Sequence, residues 1–266
     1  MSNLTLSYLQ IDLVWENSQA NREAIEAKVL GLDGCDIVVL PEMFLTGFTM
    51  SPETCADPID GDNLQWLIEL ASRSGKALAG SLSVMVAGEY RNRFLFITPE
   101  GRIAKYDKRH LFTMGDEPNH YTAGEERVII HYKGWRIMPL VCYDLRFPVW
   151  SRNCDEYDLL IYVANWPATR RIAWRSLLQA RAVENLAYVV GVNRIGSDGN
   201  GLQYAGDSQV VSFDGELLKD TEPFQATIET VSLNKEVLND YRSRFPAAAD
   251  RDAFTLSGVK RRVIEL

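Results

Sequence analysis

Three side chains in this sequence stand where an apolar run breaks off, and their types suit covalent catalysis. Glu42 follows Val38-Val39-Leu40-Pro41. The proline fixes its own φ and brings no N–H to a ladder, so the carboxylate leaves the run in a set direction. Lys108 sits in Tyr106-Asp107-Lys108-Arg109-His110-Leu111-Phe112, just past the run Ile103–Tyr106. Cys142 closes Pro139-Leu140-Val141-Cys142 and opens the segment Tyr143-Asp144-Leu145-Arg146-Phe147-Pro148. Singly, each has a plain explanation: a solvated loop carboxylate, a charged surface cluster, a buried thiol acting as a small hydrophobe. Together they supply what acyl transfer through sulfur needs. The thiolate is the nucleophile, and a free thiol ionises only near pH ~8.5, so a base must help it. Glu42 can take that proton and later return it to a leaving group. The Lys108 ammonium, with the backbone N–H of Tyr143, can stabilise the oxyanion, and its charge is expected to favour the Cys142 thiolate. No histidine is required.

These groups need a frame, and hydrophobic periodicity outlines one. Leu4–Ile11 reads as a strand, followed by a helix over Asn17–Leu30 that Asn17 or Ser18 can cap. Asp36–Leu40 has the short apolar run of a strand covered on both faces. Leu64, Leu67, Ile68 and Ala71 fall on one helical face, with Gly75 as a stop. Ala77–Val84, Phe94–Thr98 and Ile103–Tyr106 read as strands, and Val128–Tyr132 with Trp135–Cys142 as a hairpin across Lys133-Gly134. The second half repeats the rhythm. It runs strand Leu159–Ala164, helix Ile172–Leu186, strand Tyr188–Asn193, a hairpin of Ser208–Phe213 and Glu216–Leu218, strand Thr227–Val231, and a helix near Asn234–Arg244 that Pro246 ends. Gly196–Gly201 is glycine-rich but lacks the Lys-Ser/Thr of a phosphate loop, and is expected to be a mobile surface loop. No linker or repeat divides the chain, so residues 1–266 are expected to form one α/β domain with helices over its sheets.

With these residues in place, the sequence resembles the carbon–nitrogen hydrolase, or nitrilase, superfamily. The resemblance rests on Glu42, Lys108 and Cys142 in that order, 66 and 34 positions apart, each at the end of an expected strand. It extends to Ala164-Asn165-Trp166-Pro167 and to Gln179–Asn185, and covers nearly the whole chain. It implies an α-β-β-α sandwich with two facing sheets, an amidase site built on Glu, Lys and Cys, and a homodimer or larger homo-oligomer. On this reading Glu42 takes the thiol proton, gives it to departing ammonia, and then activates the water that hydrolyses a Cys142 thioester. Family members often carry a second glutamate between the lysine and the cysteine. Glu117, in Gly115-Asp116-Glu117-Pro118, is matched to it, with Asp116, Glu125 and Glu126 as nearby alternatives.

Within the superfamily, the stretches Tyr-Asp-Lys-Arg-His-Leu-Phe, Cys-Tyr-Asp-Leu-Arg-Phe-Pro and Trp-Ser-Arg-Asn are most similar to the omega-amidase-like branch. Enzymes of that branch release ammonia from the terminal amide of 2-oxo acids such as 2-oxoglutaramate. Arg146 could hold the substrate carboxylate as a bidentate partner, or simply orient its turn. Phe112, Tyr143 and Trp166 could wall a small pocket, as could Phe44 and Phe48, which serve equally well as core aromatics. An aliphatic amidase or N-carbamoyl hydrolase on the same site is the alternative. A non-catalytic thiol-bearing binding protein is the rival from another class.

Composition narrows the remaining options. With 28 Lys+Arg against 36 Asp+Glu the net charge is −8, which argues against a nucleic-acid partner needing a basic face. No apolar run reaches the ~18 residues of a membrane span, and the first residues lack a basic segment followed by an apolar block. Four cysteines without an export signal read as free thiols in a reducing cytoplasm, and Cys35, Cys55 and Cys154 as structural. The three histidines have no metal-ligand spacing, so no metal or cofactor is expected.

Overall fold

A computed structural model of the chain describes residues 3–154 and 156–266. Its first half runs β1 (Asn3–Gln10), α1 (Ser18–Leu30), β2 (Ile37–Val39), α2 (Pro52–Cys55), β3 (Asp57–Pro58), α3 (Asp62–Ser74), β4 (Ala77–Val86), β5 (Glu89–Ile97) and β6 (Ile103–Asp107). The second half runs β7 (Glu126–Tyr132), β8 (Trp135–Val141), α4 (Pro148–Ser151), β9 (Leu159–Ala164), α5 (Arg171–Asn185), β10 (Tyr188–Asn193), β11 (Ile195–Ser197), β12 (Gln203–Ala205), β13 (Gln209–Val211) and β14 (Leu217–Asp220). It closes with β15 (Thr227–Asn234), α6 (Lys235–Arg244) and β16 (Lys260–Glu265).

Two-residue alternation sorts the side chains into layers. In β1, β2, β4 and β5, Leu4, Leu6, Tyr8, Ile37, Val39, Ala77, Ala79, Phe94 and Phe96 face one core, which also holds Ile130, Ile137 and Leu159 of the second sheet. Their neighbours Leu9, Val38, Leu78, Leu95 and Ile97 face the opposite way, against Ile25 and Val29 of α1 and Leu67, Leu70 and Ala71 of α3. Both faces are therefore apolar, as a sheet covered on both sides requires. The first sheet has the order β15-β1-β2-β4-β5-β6, with β3 added beside β4; the second is β14-β13-β10-β9-β8-β7-β16. Phe96 meets Tyr132 edge-on at 5.1 Å across the gap between the sheets. Trp174, Leu178 and Ala182 of α5 and Leu238 of α6 join the same core cluster on the far side of the second sheet. The result is the α-β-β-α sandwich. Among the described residues no helix is long and apolar enough to cross a membrane.

Each sheet keeps a parallel centre, β1-β2-β4 in one and β8-β9-β10 in the other. In such sheets, functional residues collect just beyond the carboxyl ends of the strands. Glu42 follows β2, Cys142 follows β8 and Asn165 follows β9, while Lys108 follows the antiparallel β6.

Besides the short α2, β3 and α4, which the sequence reading did not include, three segments differ from expectation. The strand expected from Phe94 starts at Glu89 and pairs with β4 from Val86↔Glu89 inward, through a turn in which Ala87 and Gly88 both have positive φ. Alanine gives no turn signal, so the hairpin was hidden. The second is the glycine-rich stretch, which is no free surface loop: β11 and β12 pair around it, and it packs on the first sheet's β1–α1 connection. A Cβ at Gly196 (φ 82) would run into the Asp12 carboxylate, and one at Gly199 into the Trp15 indole. Its glycines are set by close approach. The third, β16, lies parallel to β7 at the sheet edge, and its Lys-Arg-Arg start masks it as a strand.

Candidate active site

Sharp backbone turns deliver the reactive groups. Cys142 itself has φ 45 and Met43, next to Glu42, has φ 43, both left-handed conformations that non-glycine residues rarely adopt. Asp116 (φ 63) precedes Glu117 in the same way. Such conformations cost on the order of 1–2 kcal/mol each and persist only where surrounding bonds hold them. Here those bonds are visible. Ser81 Oγ accepts the N–H of Met43 at 2.9 Å, and Asp144 Oδ2 accepts the N–H of Val141 at 3.0 Å.

Glu42, Lys108 and Glu117 expose 0%, 1% and 0% of their surfaces, and they form one cluster. Lys108 Nζ donates to Glu42 Oε1 at 2.9 Å and to Glu117 Oε1 and Oε2 at 3.0 and 2.8 Å. Asn92 Nδ2 bridges the carboxylates, donating to Glu42 Oε1 at 2.8 Å and Glu117 Oε1 at 3.2 Å. The backbone N–H of Asn165 reaches Glu42 Oε2 at 2.7 Å, and that of Phe112 reaches Glu117 Oε2 at 2.6 Å. Glu42 is thus fixed from both sheets. Of the acidic residues near position 117, it is Glu117 that meets the ammonium; Glu125 is exposed and Glu126 half-buried.

Burial and charge set the protonation states. Burial alone would lower the Lys108 pKa, but Glu117 and then Glu42 outweigh it and hold the ammonium above the usual lysine range. Burial pushes the Glu117 carboxyl up, against the pull of Lys108. Cys142 departs from expectation. Burial first, and then the Glu42 charge, raise its thiol well above the ordinary range, and Lys108 offsets this only in part. Burial thus favours the protonated thiol form of the Cys142 sulfur.

Asp144, two residues past the cysteine, registers the lysine segment against the cysteine turn. Its carboxylate is fully buried and accepts from Tyr106 OH at 2.8 Å, His110 N at 3.0 Å and Val141 N at 3.0 Å. His110 Nδ1 lies 2.8 Å from Asp144 Oδ1, so Nδ1 carries the proton. Phe147 stacks on the His110 ring at 3.8 Å. Tyr106 and His110 flank Lys108, and Val141 and Asp144 flank Cys142.

Cys142 opens onto a cleft of about 520 Å³ lined in part by Phe48, Phe112, Tyr143, Asn165, Trp166 and Tyr204. All four residues matched to substrate contact from the sequence, Phe112, Tyr143, Arg146 and Trp166, line it. Phe48 lines it too, whereas Phe44 belongs to the core beneath α1 and α3. Arg146 is exposed and lays its Cζ 5.0 Å from the Trp166 ring centre. Sequence reasoning missed Asn92, Asp144 and Arg170 as site residues. A polar residue in an apolar strand was the one available signal for Asn92. Arg170 also lines the cleft.

Comparison with known proteins agrees with this geometry. The sequence model of the carbon–nitrogen hydrolase family matches residues 5–243. Omega-amidase YafV of Escherichia coli K12 is 48% identical over 96% of this chain and 100% of its own length. The 2-oxoglutaramate amidase of Bacillus subtilis is 34% identical over 80% of this chain and 85% of its own. The crystal structure of XC1258 from Xanthomonas campestris, a CN-hydrolase superfamily protein described with an arsenic adduct in its active site, superposes with TM-score 0.94 at 42% identity, over 97% of this chain and 100% of that one. Sheet order, buried carboxylate–ammonium cluster and full-length similarity converge: the chain belongs to the carbon–nitrogen hydrolase family of the nitrilase superfamily, and is an amidase.

Proposed function

We propose that the protein hydrolyses the terminal amide of a small 2-oxo dicarboxylic acid, 2-oxoglutaramate being the reference substrate, through a Cys142 thioester. The observation that carries this is a thiol above a buried Glu42–Lys108–Glu117 cluster, in a cleft whose Arg146 has no carboxylate partner among the described residues. The names of the omega-amidase and 2-oxoglutaramate amidase relatives support the same substrate class.

The reaction follows from the protonation states. Sγ attacks the amide carbon while its proton passes to Glu42, and the carbonyl π pair moves onto oxygen. The oxyanion is met by the Tyr143 N–H and by Lys108, whose bond to Glu42 Oε1 is released as that carboxylate takes the thiol proton; one such donor commonly contributes about 3–4 kcal/mol. Glu42 then protonates the amide nitrogen, the C–N bond breaks, and ammonia leaves a thioester. Water, deprotonated by Glu42, attacks that thioester, and the proton returns to sulfur as the acid departs. Glu117 keeps Lys108 in place and charged throughout.

Ammonia release from a panel of 2-oxo acid amides, aliphatic amides, nitriles and N-carbamoyl amino acids tests the assignment. The highest kcat/KM is expected for a 2-oxo acid ω-amide. Cys142→Ala is expected to abolish turnover and keep the native circular dichroism. A simple aliphatic amide or carbamoyl substrate at the top of the panel would overturn the substrate class, and an active Cys142→Ala the chemistry.

A further inference from the structure

Arg170 and Arg171 are neighbours with opposite surroundings. Arg171 places Nε and Nη2 at 2.9 and 2.6 Å from the two oxygens of Asp207, a bidentate pair that ties the start of α5 to the segment before β13. Arg170 meets no carboxylate within ion-pair distance among the described residues. Its Cζ lies 5.5 Å from the Phe112 ring centre, and its Nη2 lies 3.1 Å from Met114 Sδ. Its backbone, by contrast, is pinned at both ends: the N–H reaches Pro167 O at 2.9 Å, and the carbonyl accepts Trp166 Nε1–H at 2.9 Å. The same indole carries the Arg146 guanidinium on its face. One tryptophan therefore braces two cations on one wall of the cleft.

An aromatic face attracts a guanidinium but uses none of its five N–H donors. In a chain of net charge −8, two such forks lining the cleft onto which Cys142 opens, with only Arg170 Nη2 engaged by a side chain, Met114 Sδ, form an anion-binding set with donors to spare. The carboxylate that also lines this cleft, Asp198, is already engaged: Oδ1 takes the N–H groups of Asn200 and Leu202, both at 2.9 Å, and Oδ2 takes the Tyr204 hydroxyl at 2.9 Å. We propose that Arg170 is a specificity-determining residue, forming with Arg146 a two-guanidinium subsite for the 2-oxo acid end of the substrate. One fork takes the carboxylate and the other the 2-oxo oxygen. A 2-amino acid amide such as glutamine would instead set its ammonium against two cations, which costs binding. This inference rests on the amidase reading above and adds the residue that selects within it.

The test measures kcat and KM of the wild type, Arg170→Gln and Arg170→Lys on 2-oxoglutaramate, pentanamide and glutamine. It adds the inhibition constant of 2-oxoglutarate against pentanamide hydrolysis. In Arg170→Gln the kcat/KM preference for 2-oxoglutaramate over pentanamide is expected to fall about tenfold, mainly through KM, the worth of one charged hydrogen bond. The preference over glutamine should narrow similarly, and the 2-oxoglutarate constant should rise about tenfold. Lysine restores charge without the planar fork and should recover part of each. Equal losses on all substrates would assign Arg170 to bracing the Phe112–Met114 segment and overturn the proposal, as would an unchanged inhibition constant. A wild type that hydrolyses pentanamide and no 2-oxo acid amide would overturn the proposed function instead, while the inhibition constant still reports on Arg170.

Discussion

At the floor of the cleft, Lys108 spends its three protons on two carboxylates that Asn92, Asn165 and Phe112 hold in turn. At the rim, Arg146 and Arg170 rest on aromatic rings and spend no donor on an acid among the described residues. The floor has one satisfied arrangement before any substrate arrives, which suits groups that must meet charge appearing only in the transition state. The rim holds its donors in reserve, which suits groups that must recognise charge already present in the ground state. Variants at the floor should therefore change kcat, and variants at the rim KM.

The strongest way to break this contrast is at Lys108. Lys108→Met is expected to lower kcat about 10²–10³-fold with KM changed much less, and Glu42→Gln at least as much. The double variant should lose far less than the product of the two, because the proposed mechanism places both groups in one relay. Lys108→Met also leaves two buried carboxylates sharing no cation, so its Tm should fall, and the kinetics belong well below that Tm. A Lys108→Met enzyme altered in KM alone would place the lysine with the rim. Next comes Asp144→Asn, which keeps size but forces a donor toward donors. A kcat loss of about 10- to 100-fold with KM nearly unchanged is expected from a misregistered nucleophile. Slower alkylation of Cys142 in the native protein would accompany it, and loss of Tm alone would reduce Asp144 to a fold residue.

A pH series sharpens the floor further. Because the folded thiol titrates above its ordinary range, the rate of Cys142 alkylation by iodoacetamide should climb about tenfold per pH unit through at least pH 9. A plateau near neutrality would mean a preformed thiolate. The smallest effect belongs to the rim: Arg146→Gln should raise KM for 2-oxoglutaramate about tenfold and reduce the preference over pentanamide by a similar factor. A kcat effect without that shift would move Arg146 to the floor.

How much of this could be read from the chain follows the same division. Glu42, Lys108 and Cys142 were legible because each ends an apolar run, and a strand end is visible one-dimensionally. Glu117 needed the family resemblance, since four acidic residues crowd that loop. Asn92 was lost because the β4–β5 turn uses Ala87, which moved the apparent strand start past it. The Gly196–Gly201 loop looked free because its partners, Asp12 and Trp15, lie some 180 residues away in sequence. The Cys142 protonation state depends on burial, which no spacing reports.

The sealing of the Glu42–Lys108–Glu117 cluster has a consequence for charge bookkeeping during turnover. In the proposed mechanism the thiol proton moves to Glu42 and the negative charge it leaves behind passes to the carbonyl oxygen, so the interior gains and loses no net charge. Mobile ions, held at the protein surface and screened over about 8–10 Å of solvent, have nothing new to answer there. On that mechanism the chemical step is indifferent to the salt around the protein, while the proposed capture of an anion by exposed Arg146 and half-buried Arg170 weakens as salt is added. The enzyme's commitment to reaction and its appetite for substrate answer to different features of the cell.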